Sequence, residues 1–456
     1  MSRNPDISTV AVVGAGPAGL MAALVAARSG AQVIVFEQLA EPGIRLLATG
    51  GGHCNFTNTL ATEDFVRRFG AKSRFVAPAI KALNGNRLRR FFEELGVPSH
   101  SPDGFHVLPV SDSARSIRDA LQQACRKLRV EFRANSRVDG LQIDRGHVAG
   151  IRTSRGTESV SRVVLATGGA SYKSLGGGES GFRLARLAGH TITPLCPALV
   201  PLVTREAWPA TLAGVTLPRV TVRLESQVRR PTPQLCRSYE RQLHRCSRGS
   251  IEPLRIEIPM QQGKTREFAT GSLLFTHRGI SGPAALDISG QVALALMAKV
   301  PVGIMLDLTP DWTLEAWQAH FEKSRQAHGT RTVQSLFASV LPSALAKVVL
   351  ELANMPTNMS LACWPRAQSR ELIMLIKNLP LTITGTEGFG KAMVTKGGVN
   401  LDEVCPKTLE SKRVHGLFFA GEILDVDGPC GGFNLQWAFA SGALAAHFLF
   451  ALRRTI

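Results

Sequence analysis

At 456 residues and 44% hydrophobic content, the chain has enough apolar mass for a large core spread over two or three domains. Fifty-three Lys and Arg against 35 Asp and Glu leave a formal net charge of +18, a balance that attracts polyanions. Eight cysteines without a CxxC pair exclude a disulfide framework and point to reduced thiols in a cytoplasmic protein. Cys236, His244 and Cys246 lack a fourth zinc ligand, so no metal is expected.

The first predicted element is a strand over 9–13. It leads into Gly14-Ala15-Gly16-Pro17-Ala18-Gly19, an alanine-rich helix to about Ser29, a second strand over 32–36, and then Glu37 and Gln38. Gly14 serves the tight turn, Gly16 a close approach of backbone to a pyrophosphate, and Gly19 the packing of helix on sheet. The helix N-terminus offers free N–H groups and a positive dipole end. Glu37, where ribose hydroxyls would lie, favours a free 2′-OH and hence NAD or FAD over NADP.

Residues 45–58 carry Gly50-Gly51-Gly52-His53-Cys54-Asn55, a loop in which backbone lies against a flat cofactor. Arg45, Leu46, Gly50, Gly51 and Asn55 are its candidate contacts. Helices are expected near 86–95 and 113–127, then β runs at 138–143, 148–153 and 159–165. Val138 opens the first of these runs, and Ala166-Thr167-Gly168-Gly169 closes the last. All four residues Val138, Ala166, Thr167 and Gly168 are counted as cofactor-binding.

From 194 the texture turns to β runs and prolines. It reads as an inserted, mainly β substrate domain over 194–312, with an Arg-rich excursion at 227–253, followed by a helical subdomain over 313–380. Residues 1–193 and 381–456 form the two parts of the first domain. The most membrane-like stretch, 292–308, is broken by Lys299 and Pro301, and no apolar leader follows Met1, so no membrane segment is expected.

The closing part predicts a strand over 417–420, then Gly421-Glu422, a loop over 425–436 and an apolar helix ending near 452. This decides between cofactors. In FAD enzymes of the glutathione-reductase type, such an acid binds the ribityl chain. The next helix, here starting at Gly432, Phe433, Asn434 and Leu435, aims its N-terminus at the flavin C2 carbonyl. The expected fold is therefore α/β: a two-dinucleotide-binding, glutathione-reductase-like FAD Rossmann domain with an inserted, mainly β domain and a small helical subdomain.

Basic residues cluster. Residues 65–90 hold eight and no acid, 115–137 hold seven against Asp119 and Glu131, and 229–248 hold six arginines against Glu240. Such clusters suit an anionic macromolecule, RNA above all, or simply make a solvated basic face. Aromatic content of 6% gives no evident base-stacking platform.

The chain resembles the BaiN/RdsA family of bacterial flavoproteins. The resemblance rests on the glycine fingerprint, residues 50–58, 166–169, 197–202, 274–283, 394–399, and 421–436. It departs at Gly43-Ile44-Arg45 (Gly-Arg-Lys in the family), at His53 (Arg) and at Pro429-Cys430 (Tyr-Thr). The resemblance implies that the inserted domain is a β-barrel, and it implies FAD, NAD(P)H as transient reductant, and reduction of a C=C bond conjugated to a carbonyl, in a bile-acid enone or in a uridine of 23S rRNA. Hydride from reduced flavin adds to the β carbon and an acid protonates the α carbon. Cys54 is the first candidate acid and Cys430 the second. His53 either binds phosphate or caps its loop, and His277 either faces substrate or serves folding. No second GxGxxG exists; Gly176-Gly177-Gly178 does not follow a strand as a dinucleotide site requires. The net charge favours the 23S rRNA dihydrouridine synthase reading. A small-molecule ene-reductase or amine oxidase, and a non-catalytic flavin-containing RNA-binding or assembly protein, are the alternatives.

Overall fold

The computed structural model describes residues 9–225 and 268–449. The Arg-rich excursion at 227–253, with Cys236, His244 and Cys246, lies outside the described residues.

In chain order the first elements are β1 (Thr9–Val13), α1 (Pro17–Arg28), β2 (Gln32–Phe36), α2 (Ile44–Leu47), β3 (Thr57–Asn58), α3 (Thr62–Arg67), α4 (Ser73–Ala82), α5 (Gly85–Glu94), β4 (Ser99–His100), β5 (His106–Pro109), α6 (Ala114–Lys127), β6 (Glu131–Arg133), β7 (Val138–Asp144), β8 (His147–Thr153), β9 (Gly156–Ser159), β10 (Arg162–Leu165), α7 (Ser180–Leu187) and β11 (Cys196–Ala198). Then come β12 (Leu202–Thr204), α8 (Trp208–Thr211), β13 (Thr216–Glu225), β14 (Phe268–Thr276), β15 (Gly279–Ser281), α9 (Pro283–Met297), β16 (Val302–Asp307), α10 (Leu314–His328), α11 (Val333–Phe337), α12 (Ser343–Leu352), α13 (Arg366–Lys377) and β17 (Leu379–Thr386). β18 (Val394–Lys396), β19 (Leu417–Phe419) and α14 (Phe433–Phe448) close the chain.

Two compact units result. One joins the residues up to Ala198 with those from Gly388 onward; the other is Leu199–Glu387. The first is built on a parallel sheet ordered β19-β10-β1-β2-β6. Its central strands β1, β2, β10 and β19 are buried along nearly their whole length: α1 packs on β1, β2 and β10, α14 on β19, and β8 of the three-stranded sheet β7-β8-β9 lies against β10. α1 and α14 bury most of their residues. They meet so closely that a Cβ at Gly442 would collide with the Ala18 carbonyl. The run expected over 159–165 is divided: β9 pairs with β8, whereas β10 joins the central sheet beside β1.

The second unit is a closed barrel ordered β12-β15-β14-β13-β16-β17. α9 packs on it with Ala284, Ala285, Ile288 and Val292 buried, so the β-textured stretch contains a 15-residue helix. The helices α10–α13 lie in sequence between β16 and β17, and β17 returns to pair with both β16 and β12. Barrel closure thus ties the helices to the barrel. The unit boundaries fall after Ala198 and Glu387, where sequence texture placed them after 193 and 380.

Candidate dinucleotide site

The first unit builds its cradle from the turn after β1. Gly14 has φ +99°, a left-handed value, and a Cβ there would sit 2.6 Å from Ala166 O. A Cβ at Gly19 would collide with Gly14 O, which is how closely α1 approaches the sheet. Gly16 differs: it is the N-cap of α1 in extended backbone, φ −73° and ψ −174°, with no side-chain cap, Pro17 following, and open space where its Cβ would be. The first-turn N–H groups of Ala18 and Gly19 have no hydrogen-bond partner among the described residues. Ala15 N–H donates to Glu37 Oε2 at 2.8 Å, and Leu39 N–H to Oε1 at 2.9 Å. Gln38 Nε2 donates to Gly176 O at 2.7 Å, so the Gly176 loop is tied to the end of β2. Ser136 N–H donates to Glu37 O at 2.8 Å, which brings Val138, buried at the start of β7, beside the same acid.

The other end gathers around Glu422. Arg45 pairs with its Oε2 at 3.1 Å and Thr395 N–H donates to Oε1 at 2.7 Å. A Cβ at Gly168 would strike Arg45, and one at Gly169 would strike Glu422 and Thr395. Thr395 Oγ1, fully buried, accepts from Ala170 N–H at 2.8 Å. Thr395 is thus a hub that sequence reasoning missed; only its place in the 394–399 motif hinted at it. Gly421 N–H donates to Ser441 Oγ at 2.9 Å and its carbonyl accepts from Trp437 Nε1 at 3.2 Å, which fixes the 421–422 turn on α14.

Gly432, φ +82°, is the N-cap of α14 and also lacks a side-chain cap. Its Cβ would lie 2.5 Å from Thr57 O. Asn434 Oδ1 accepts from Gly428 N–H at 2.8 Å, and its Nδ2 donates to Gly428 O at 3.0 Å, so this side chain clamps the preceding loop. Phe433 packs on Phe65 with ring centroids 4.5 Å apart, and Leu435 is half-buried in the first turn. The loop is further held by Lys72, whose Nζ lies 2.6 Å from both Asp425 Oδ1 and Asp427 Oδ1, while Lys396 Nζ reaches Asp427 Oδ2 at 3.2 Å. Burial opposes the Lys72 charge, but Asp427 and Asp425 outweigh it and raise its pKa. Burial likewise opposes ionisation of Asp427, and Lys72 and Lys396 outweigh that to lower its pKa.

The remaining expected residues are placed as follows. Gly50 and Gly51 take φ +56° and +67° in a short turn, and Leu46 is fully buried. Asn55 Oδ1 accepts from Val107 N–H at 3.2 Å, which ties the loop to β5. Cys54 has φ +60° and no accessible surface; burial pushes its thiol up to about 12, against a hydrogen bond with Thr49. His53 pairs with Asp112 at 3.0 Å on a half-exposed edge. Cys430 is half-exposed on the loop before α14. His277 is exposed in the β14–β15 turn of the other unit. Among the described residues no cluster could hold a metal ion, and no helix is long and apolar enough to cross a membrane.

The thiols differ enough to be read chemically. At Cys405 burial raises the pKa, but the Thr408 hydroxyl and the Lys407 and Thr408 N–H groups outweigh it and lower it. At Cys54 a value about 12 against the ordinary 9.0 leaves on the order of a thousandfold less thiolate than an unperturbed thiol. Iodoacetamide is therefore expected to modify Cys405 well before Cys54, as followed by peptide mass spectrometry; equal rates would contradict the burial of Cys54.

The residues present fit a dinucleotide. Two long helices present uncapped N-termini, the first beside the open space at Gly16. Glu37 keeps lone pairs for ribose hydroxyls, and Thr167 Oγ1 is buried without a hydrogen-bond partner. Fold and site thus define a Rossmann-type dinucleotide-binding protein with a closed six-stranded barrel. The chain belongs to the HI0933-like Rossmann family, whose domain model matches residues 8–448. It is 34% identical over 447 residues to a 3-dehydro-bile acid delta(4,6)-reductase of Clostridium scindens, covering 96% of this chain and 98% of the relative. It is 29% identical over 447 residues to a ribosomal RNA dihydrouridine synthase of Escherichia coli, covering 97% and 98%, and 29% identical over 441 residues to that of Haemophilus influenzae, covering 95% and 96%. With these relatives, the family is one of FAD-type oxidoreductases.

Proposed function

We propose that this chain is an FAD-dependent reductase of a C=C bond conjugated to a carbonyl, acting on a uridine of 23S rRNA in the cytoplasm with NAD(P)H as transient reductant. The observation that carries the cofactor is the pair of uncapped helix N-termini, at Gly16 and Gly432, with Glu37 and Glu422 as acceptors. The N–H groups of Ala18 and Gly19 hold the pyrophosphate, Glu37 the ribose, and the Arg45–Glu422–Thr395 group the ribityl chain; Val138, Ala166, Thr167 and Gly168 line the path between. The first turn of α14, Phe433 to Leu435, favours negative charge at its end. When bound, FAD supplies the two-electron transfer that saturates the C=C bond.

The choice of substrate class is supported by the relatives. One is named for reducing a bile acid, the others for making dihydrouridine, and both reactions saturate a C=C bond conjugated to a carbonyl. The charge of +18 favours the RNA. Saturating uridine requires a proton at C5. Cys54 is protonated at neutral pH, and since it has no accessible surface, a donor role requires the 49–54 turn to open. The 34% identity to the bile-acid enzyme favours one second reading, a small conjugated ketone as substrate.

Nucleoside mass spectrometry of 23S rRNA from cells with and without the gene tests the proposal. Dihydrouridine is expected to fall on deletion and to return with the wild-type chain but not with Gly16→Val. Unchanged dihydrouridine would overturn the RNA substrate and direct the search to small conjugated ketones.

A further inference from the structure

The block 65–90 folds into α3, α4 and α5, which pack on the cofactor-facing end of α14. Phe65 stacks on Phe433, and Phe75 lies 6.2 Å from Trp437. α4 buries Phe75, Val76, Ala79 and Ile80, and α5 buries Leu88 and Phe92. Their apolar stripes turn inward, so the cations face out. Arg74 and Lys81, seven residues apart, share one face of α4, and Arg90 follows on α5; all three are exposed.

Two features separate this face from an ordinary solvated one. No acid occurs from residue 65 to residue 92. Arg74, Lys81 and Arg90 also make no ion pair or hydrogen bond with any described residue. Arg90 also lines a cleft of about 420 Å³, together with Asn86, Arg89, Glu93, Pro98 and Ser99. Arg89 is fixed there by donating to Ser99 Oγ at 3.0 Å, so one cation is preset and another free. Glu93 and Asn86 add acceptors suited to ribose hydroxyls. Phe91 on α5 is half-buried and covered by Arg28 at 5.2 Å, so it offers no bare ring for a base. The chemistry fits phosphates and sugars rather than bases.

We propose that the outer face of α4 and α5, with the Arg89–Arg90 cleft, is the docking surface for the phosphodiester backbone of the RNA substrate. This rests on the RNA reading above and names the surface that serves it. The binding it gives is salt-sensitive and tolerant of sequence, and it anchors RNA beside the helix whose N-terminus faces the cofactor.

The test compares two triple variants of the full chain. Arg74→Gln/Lys81→Gln/Arg90→Gln empties the surface; Arg126→Gln/Lys127→Gln/Arg129→Gln removes equal charge from the exposed end of α6. Binding of a labelled 23S rRNA transcript is measured by fluorescence anisotropy across a KCl series, with FAD content and circular dichroism read on each protein. The first triple is expected to bind about tenfold more weakly, with the log–log salt slope reduced by about 2, from roughly 0.7 per phosphate contact. It should retain FAD and fold, while the second triple binds nearly as wild type. Equal losses from both triples, no loss from the first, or no RNA binding by the wild type would each overturn the surface. If the first triple binds as wild type while dihydrouridine still depends on the gene, the surface fails and the reductase reading stands. Loss of the dihydrouridine dependence itself overturns the reading.

Discussion

Gly16→Val is expected to fold like the wild type and to purify without flavin. The position is an N-cap in extended backbone, φ −73° and ψ −174°, which a β-branched residue adopts readily, and the space at its Cβ is open. Nothing in the protein is displaced, and because no side-chain cap exists to be lost, the stability cost stays within about 1 kcal/mol. The valyl methyls instead fill the volume before the Ala18 and Gly19 N–H groups. Hydrogen bonds to a charged group contribute about 1.5–3 kcal/mol each, so losing two weakens FAD by a hundredfold or more. Gly19→Ala is the contrast. Its Cβ collides with Gly14 O, and that backbone cannot yield without moving the turn, so it loses about 3 kcal/mol of stability along with the cofactor. Thermal melts with and without added FAD separate the two, since only a chain that binds FAD gains stability from it. A yellow Gly16→Val with a wild-type FAD titration would remove the phosphate from the α1 N-terminus.

That contrast also shows what a sequence can and cannot reveal. β1, β2 and the start of α1 were legible because each is signalled within a few residues, by apolar runs, glycines and Pro17. Glu37 and Glu422 could be singled out because each closely follows a strand, Glu37 directly after β2 and Glu422 in the turn after β19. Thr395 was not: its hydroxyl meets Ala170, 225 residues away, and no local period encodes that meeting. Asn434 was expected to face the cofactor, and its side chain clamps the Gly428–Pro429 carbonyls. β17 was assigned partly to the helical stretch and partly to the closing segment, because a strand returning after four helices carries no mark of the barrel it completes. Lys72 lay hidden inside a block read only as surface charge, although its partner Asp425 is 353 residues distant.

Lys72→Met is expected to destabilise the chain by about 3 kcal/mol near neutral pH, because it leaves buried charge without its partner. Lys72, about one-fifth exposed, bridges Asp425 and Asp427; without it Lys396 still pairs with Asp427, while Asp425 keeps no ion-pair partner among the described residues. Thr193 Oγ1, 3.0 Å from Asp425 Oδ2, and Gly397 N–H, 3.2 Å from Oδ1, are dipoles and do not replace a cation. The pH dependence follows from the shifted groups. Asp427 is lowered from its ordinary 3.8, so its contribution is present above that value and disappears as pH falls through the depressed one. Lys72 is raised from 10.5, so its contribution is present below that value and is lost as pH rises through the elevated one. The difference between wild type and variant should therefore be flat from about pH 5 to 9 and shrink at both extremes. Urea titrations across pH measure it, and a difference below about 1 kcal/mol, or one unchanged in strong acid, would deny the pair its role. Asp425→Asn added to Lys72→Met should recover part of the loss, since it removes the charge left without a partner. The consequence reaches the cofactor: Asp425 and Asp427 begin the loop that Asn434 clamps, and that loop delivers Gly432 to the N-terminus of α14. A Lys72→Met chain that remains folded should then hold FAD more weakly, although Lys72 lies outside the residues proposed to hold it.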